Sequence, residues 1–132
     1  MKSQSKIALK AASFLLEQHR QHVAFADLPI DIRPKNESEA YAVQSEFFKL
    51  RQSSLGDIVG YKVALTSEVM QSLLQFPSPF SGPLHGKLIH SDGVTLSAKD
   101  YGQLCIECEI AAMLKIDLPQ REAPYCATDI AD

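Results

Sequence analysis

With 132 residues, the chain can hold one ordinary domain with a single core but not two. An apolar content of 45% and a charged content of 22% belong to a soluble globular protein and exclude a disordered or membrane-embedded class. A net charge of -3 without any basic run argues against a nucleic-acid surface, and no apolar stretch approaches the roughly 18 residues of a membrane span.

The opening MKSQSKIALKAASFLLEQ imitates a secretory leader only faintly. Lys10 interrupts its apolar part and no small-x-small cleavage site follows, so a first helix in a cytoplasmic protein is the expectation. Over residues 5–22, Ile7, Ala8, Ala11, Ala12 and Leu15 recur at helical spacing. His19 and His22 stand three apart on this helix with no acid or thiol beside them and read as surface residues. Pro29 and Pro34 punctuate a connector. A second helix opens at Asn36, with Glu39 placed as a capping-box partner, and ends before Gly56. Its expected buried stripe is Ala40, Val43, Phe47 and Leu50.

Residues 58–65 read as a strand with Val59, Tyr61, Val63 and Leu65 on an apolar face. Lys62 lies on the other face between Gly60 and Ala64, whose small size leaves room above the sheet for something that is not protein. An exposed lysine on a thin strand is the plainer alternative. Thr66 or Ser67 can cap a short helix carrying Val69, Met70, Leu73 and Leu74. Residues 76–83, with three prolines and a glycine, read as a loop. Residues 84–89 and 94–96 read as a hairpin around Ser91-Asp92-Gly93.

The chemically pointed segment is Glu107-Cys108-Glu109, inside an apolar run from Leu104 to Leu114. As a strand, the run places Ile106, Cys108, Ile110, Ala112 and Leu114 on one face and both glutamates on the other. Two like charges side by side repel and resist desolvation. A hard divalent cation relieves both costs, and a solvated strand face is the alternative. Cys105 and Cys108 form C-x-x-C, but three residues apart on a strand they point to opposite faces and cannot share a metal; three cysteines also make a disulfide framework unlike this chain. Thr128-Asp129 reads as a helix start one turn before Asp132. So short a helix cannot sustain itself, and the expectation is a truncated α+β chain.

Four pieces, in order, carry a family resemblance: Ala40-Tyr41-Ala42-Val43-Gln44, Gly60-Tyr61-Lys62-Val63-Ala64-Leu65-Thr66-Ser67, Gly82-Pro83-Leu84, and Glu107-Cys108-Glu109-Ile110-Ala111. Together they make the chain similar to the fumarylacetoacetate hydrolase family, in its branch of 2-keto-4-pentenoate hydratases and 4-oxalocrotonate decarboxylases. The resemblance implies a helical region with one strand over residues 1–80 and the incomplete start of a mixed, β-rich catalytic core over residues 81–132. It implies Mg²⁺ or Mn²⁺ held by Glu107 and Glu109, with a third acid expected beyond Asp132; the role is not carried to Asp129 or Asp132. Lys62 becomes the candidate for proton transfer or substrate pairing, its pKa brought into a useful range by burial and the cation. Thr66 and Ser67 become donors to a substrate carboxylate; His85, on a strand after a Pro/Gly-rich loop, is a weaker candidate that reads first as structural.

The implied reaction is addition of water to a 2-hydroxy-2,4-dienoate, giving a 4-hydroxy-2-oxo acid in aromatic-compound catabolism. Decarboxylation of a 2-oxo diacid and a non-catalytic fragment or assembly module are the alternatives. The implied partners are a small 2-oxo or 2-hydroxydienoic acid and, for a full-length parent, further copies of itself, with no nucleic acid and no membrane. The chain itself is expected to be inactive.

Overall fold

The computed structural model describes residues 2–22, 26–102 and 104–130. They form helix α1 (Lys2–Arg20), helix α2 (Glu37–Leu55), strand β1 (Ile58–Ala64), helix α3 (Glu68–Leu73), strand β2 (Phe80–His85) and a last turn of helix, α4 (Ala127–Ile130). Single 3₁₀ turns at Gly86–Leu88 and Ala98–Asp100 punctuate the connection after β2. The architecture is α+β, a helical pair with a small antiparallel sheet of order β1-β2. None of the described helices is long and apolar enough to cross a membrane.

The two long helices pack through small residues. Ala8, Ala11 and Ala12 of α1 are buried against Val43 and Phe47 of α2, with Ile32 of the connector closing the cluster. Alanine at the contact lets the helix backbones approach closely at little cost in side-chain entropy. The α2 stripe is narrower than its periodicity suggests: Ala40 and Leu50 are exposed, and Phe48 shares the contact instead. His19 is also half-buried, its ring 5.0 Å from that of Phe47, because the last turn of α1 still lies on α2.

Helix α2 begins as its sequence dictates. Asn36 Oδ1 accepts from the Glu39 N–H at 3.0 Å, and Glu39 reaches back to accept from the Lys35 N–H at 2.9 Å. At the other end Gly56 takes φ +81°, a conformation that glycine adopts without steric cost.

The sheet differs from the expected hairpin. Residues 94–97 form no strand, and β1 pairs instead with β2, which begins at Phe80 inside the stretch read as a loop. The register runs Gly60↔Leu84, Tyr61↔Pro83, Lys62↔Gly82, Val63↔Ser81 and Ala64↔Phe80, with a bulge at Val59. Asp92-Gly93 does turn, with Gly93 at φ +80°, but two strands do not flank it. Proline at position 83 is compatible with a strand because β2 is an edge. The N–H and C=O of neighbouring Ser81 are bonded to α2 side chains, which places them on the outer side of the ladder. Two residues on, the missing N–H of Pro83 falls on that same outer side and costs no ladder bond.

The sheet also presents its faces the other way round. Val59, Tyr61 and Val63 are 61%, 68% and 50% exposed, whereas Gly60, Lys62 and Ala64 lie half-covered. Helix α2 packs on the side of Gly82, whose missing Cβ would meet Gln44 Nε2 at 3.7 Å, and Lys62 stands opposite Gly82 on that side. Helix cover therefore went to the small-residue face, where a helix can come close.

Two further expectations are corrected. Residues 104–114 form no strand among the described residues: ladder bonds define a strand, and the free edge of β1 makes none with this segment. The last helical turn starts at Ala127 rather than at Thr128, because Asp129 Oδ2 reaches back to accept from the Cys126 N–H at 2.8 Å and ties off the turn there. Asp132 lies outside the described residues.

His85 closes the end of β2. It is fully buried, stacked on Phe48 at 5.2 Å, and its Nδ1 lies 2.7 Å from the Gly56 carbonyl. A carbonyl only accepts, so Nδ1 carries the proton, and the buried Nε2 has no partner. His85→Ala should lower stability by about 3 kcal/mol in urea unfolding, through the lost ring and the stranded carbonyl. His85→Phe, which keeps the stack, should recover more than half of the loss.

Burial, and secondly the nearby Arg51 guanidinium, lowers the pKa of His19 below 6.5. The unfolded chain therefore binds this proton more readily, so stability should be greatest above that pH and decline as pH falls through the folded value. His19→Gln should flatten this acid-side slope in denaturation curves collected between pH 5 and 7.5; an unchanged slope would remove His19 as its cause.

Candidate functional site

Lys62, Glu107 and Glu109 meet in space although 45 residues of sequence separate the lysine from the first acid. Strand β1 presents Lys62 between Gly60 and Ala64 and across from Gly82, so three of its neighbours on that face are small. The ammonium bridges the acids, with Nζ 2.6 Å from Glu107 Oε2 and 3.0 Å from Glu109 Oε1. On the alternate positions, Ile106 and Ile110 are 84% and 102% exposed.

The cluster is open to water: the Lys62 side chain is 41% exposed and those of Glu107 and Glu109 are 60% and 51% exposed. The hydrogen bond to Glu107, then that to Glu109, raises the pKa of Lys62 above the ordinary lysine value. The downward tuning expected of Lys62 belongs to burial beside a cation, and in this metal-free arrangement the acids act in the opposite direction. In this arrangement Lys62 is firmly an ammonium ion and a poor proton acceptor.

The other sequence candidates stand apart from this cluster. The Ser67 hydroxyl oxygen accepts from the Met70 N–H at 3.4 Å and caps α3, so Ser67 rather than Thr66 is the cap. Thr66 is exposed. The preceding residue, Leu65, holds φ +56°, an uncommon conformation for leucine, which swings the chain from β1 into α3. Its carbonyl is held by Gln71 Nε2 at 2.8 Å. His85 serves the fold, as its burial shows. Asp129 is engaged by Cys126 and by an ion pair with Arg121, and the bonds from Cys126 lead the lowering of its pKa. The three cysteines are free and exposed.

Sequence reasoning quoted Tyr41 and Gln44 without giving them a task. Tyr41 Oη accepts from the Ser81 N–H at 3.2 Å, and Gln44 Nε2 donates to the Ser81 carbonyl at 2.9 Å. Polar groups three apart on a helix share a face, and this spacing was the available signal. Both residues also line a cleft of about 450 Å³ with Lys35, Phe76 and Phe80. Phe80 pairs with Ala64, so the cleft borders the sheet face that carries Lys62.

The donor set suits a hard divalent cation in kind, since two carboxylate oxygens converge on one positively charged atom. Among the described residues, no group of three or more His, Cys, Asp and Glu side chains is arranged to hold a metal.

The chain is similar to bacterial dienoate hydratases. It is 35% identical over 82 residues to 2-hydroxyhexa-2,4-dienoate hydratase of Comamonas testosteroni, an overlap of 61% of this chain and 31% of the relative. It is 34% identical over 79 residues to 2-keto-4-pentenoate hydratase of Burkholderia vietnamiensis, covering 60% of this chain and 30% of that enzyme. With 2-keto-4-pentenoate hydratase of Paraburkholderia xenovorans the identity is 31% over 116 residues, covering 88% of this chain and 43% of the relative. The chain thus spans less than half the length of the curated relatives it matches. No family model matches it, and no solved structure matches it.

The ordering of causes at Lys62 is testable by NMR titration of its side chain. Glu107→Gln should bring the raised pKa down toward the ordinary lysine value, and further than Glu109→Gln does. Equal, negligible effects from both variants would show that the bridge does not persist in solution.

Proposed function

We propose that the chain carries part of the active site of a metal-dependent hydratase of the fumarylacetoacetate hydrolase family, acting on a 2-hydroxy-2,4-dienoate. The observation that carries this reading is the convergence of Glu107 and Glu109 on the Lys62 ammonium. The names of the similar enzymes support it and favour hydration over decarboxylation.

Glu107 and Glu109 would hold Mg²⁺ or Mn²⁺. Once bound, the cation supplies a Lewis acid to the vicinal oxygens of a 2-oxo acid. Lys62 pairs with the anionic substrate and holds a proton at Nζ close to the reacting chain. Thr66 and Ser67 donate hydroxyl hydrogens to the substrate carboxylate; the Ser67 oxygen accepts in its cap, so its own hydrogen remains available. The cleft bordered by Phe76 and Phe80 takes the hydrocarbon end of the dienoate. In the net reaction the hydroxyl of water joins C4, C5 and C3 each gain a hydrogen, and the enol becomes the 2-oxo group, so 2-hydroxypenta-2,4-dienoate plus water gives 4-hydroxy-2-oxopentanoate.

The described residues leave this site unclosed, with two carboxylates where a cation of this kind takes about six oxygen ligands. Activity is tested by following loss of 2-hydroxypenta-2,4-dienoate absorbance with Mg²⁺, with Mn²⁺ and with chelator. Two proteins are compared: the 132-residue chain alone, and the same chain continued by the part of the Paraburkholderia xenovorans relative beyond the matched stretch. Metal-dependent turnover is expected from the extended protein, and none from the chain alone. In the extended protein Glu107→Gln should depress turnover, with partial rescue at high Mn²⁺. Turnover that is indifferent to chelator and to Glu107→Gln would sink the metal reading.

A further inference from the structure

The Lys62 ammonium occupies the point on which both carboxylates converge, and that is where a shared cation would sit. Its distances to them, 2.6 and 3.0 Å, exceed the roughly 2.0–2.1 Å of Mg²⁺–oxygen contacts by about 0.5 to 1 Å. A small contraction of the two side chains would therefore convert an ammonium site into a divalent one, and the two occupants cannot share the point. We propose that Lys62 is a built-in stand-in cation, which holds Glu107 and Glu109 together in the metal-free protein and competes directly with the divalent cation for them. This deepens the metal reading given above and rests on it.

The argument is one of charge and position. Glu107 and Glu109 lie two residues apart and both reach one atom, so without a cation their repulsion would spread them. Each contact alone, half in water, contributes little stability. One ammonium serving two carboxylates nevertheless selects a single arrangement out of many. The supporting strand makes the bridge possible, because small residues flank Lys62 on its face and Gly82 lies opposite. An arriving divalent cation brings twice the charge to the same oxygens and meets repulsion from the resident ammonium. Loading then expels Nζ from the carboxylates and leaves it free to face an anionic substrate, so cation binding precedes substrate binding.

The test is Mn²⁺ affinity, read by electron paramagnetic resonance of free Mn²⁺ on the wild-type chain and on Lys62→Met, Lys62→Arg and Glu107→Gln, with circular dichroism to establish that each folds alike. Removing a positive charge a few ångströms from a dication should tighten Mn²⁺ binding in Lys62→Met by about tenfold. Lys62→Arg, which keeps the charge, should stay near wild type, and Glu107→Gln should abolish the binding. In parallel, the ammonium signal of Lys62 in proton–nitrogen spectra should shift or vanish when Mg²⁺ is added. Lys62→Met binding Mn²⁺ no tighter than wild type, while wild type still binds in a Glu107-dependent way, would overturn the competition and leave the metal reading standing. A Lys62 signal unchanged at saturating Mg²⁺ would overturn the exchange of occupants. Absence of Mn²⁺ binding in every protein, Lys62→Met included, would remove the metal reading and the competition together.

Discussion

Ser81 is the joint on which this arrangement turns. Its N–H and C=O, on the open side of a two-stranded ladder, are taken up by Tyr41 and Gln44 of α2. Unpaired backbone groups on a sheet edge attract other strands, and side chains from a helix satisfy them here without a third strand. The same bonds fix β2 against the helical pair and, through the ladder, fix β1 as well. Because Gly82 follows Ser81 and pairs with Lys62, holding Ser81 sets which face of the sheet carries the lysine. At the far end His85, Gly86 and Lys87 bond to Gly56, Asp57 and Ser54, so β2 is tied to the C-terminal end of α2 as well.

Beyond the sheet, order rests on charge more than on packing. The segment around Glu107 and Glu109 has no ladder partner and its side chains are exposed; the Lys62 bridge links it to β1. A single ammonium satisfies two acids that would otherwise repel each other, and the acids hold that ammonium charged. Loss of the ammonium would leave two acids repelling each other, whereas loss of either acid would leave a neutral pair.

What could be read from the sequence was local. The Asn36 cap with its Glu39 partner, the Gly56 stop, the Ser67 cap and the small residues flanking Lys62 follow from backbone and side-chain chemistry within a few residues. Glu107 and Glu109 do meet at one ammonium, but the strand expected to carry them does not form. What could not be read was partnership at a distance. Ser91-Asp92-Gly93 has the composition of a hairpin turn, yet β1 found its partner in a proline-rich stretch whose edge position made Pro83 harmless. The alternation in β1 is plain, but alternation alone does not say which face a helix will cover. Gly82 admitted α2 on one face, and Val59, Tyr61 and Val63 were left outward on the other. The Tyr41 and Gln44 clasp belongs to the same category, since its target lies about forty residues further on.

The outward apolar groups bear on the site. Along residues 106–110 apolar and acidic residues alternate in sequence, and Ile106 and Ile110 stay exposed while Glu107 and Glu109 meet Lys62. The placement of the acids and that of the apolar residues are coupled, because they are immediate neighbours on one backbone. The ion bridge holds the acids in this placement, and exposed pairs of this kind hold weakly. Burial of Ile106 and Ile110 would hold the same placement far more strongly, at about 25 cal/mol for each Å² of apolar surface removed from water. The chemistry of this site thus depends on a surface that carries no charge at all: whatever covers the isoleucines also aims the glutamates.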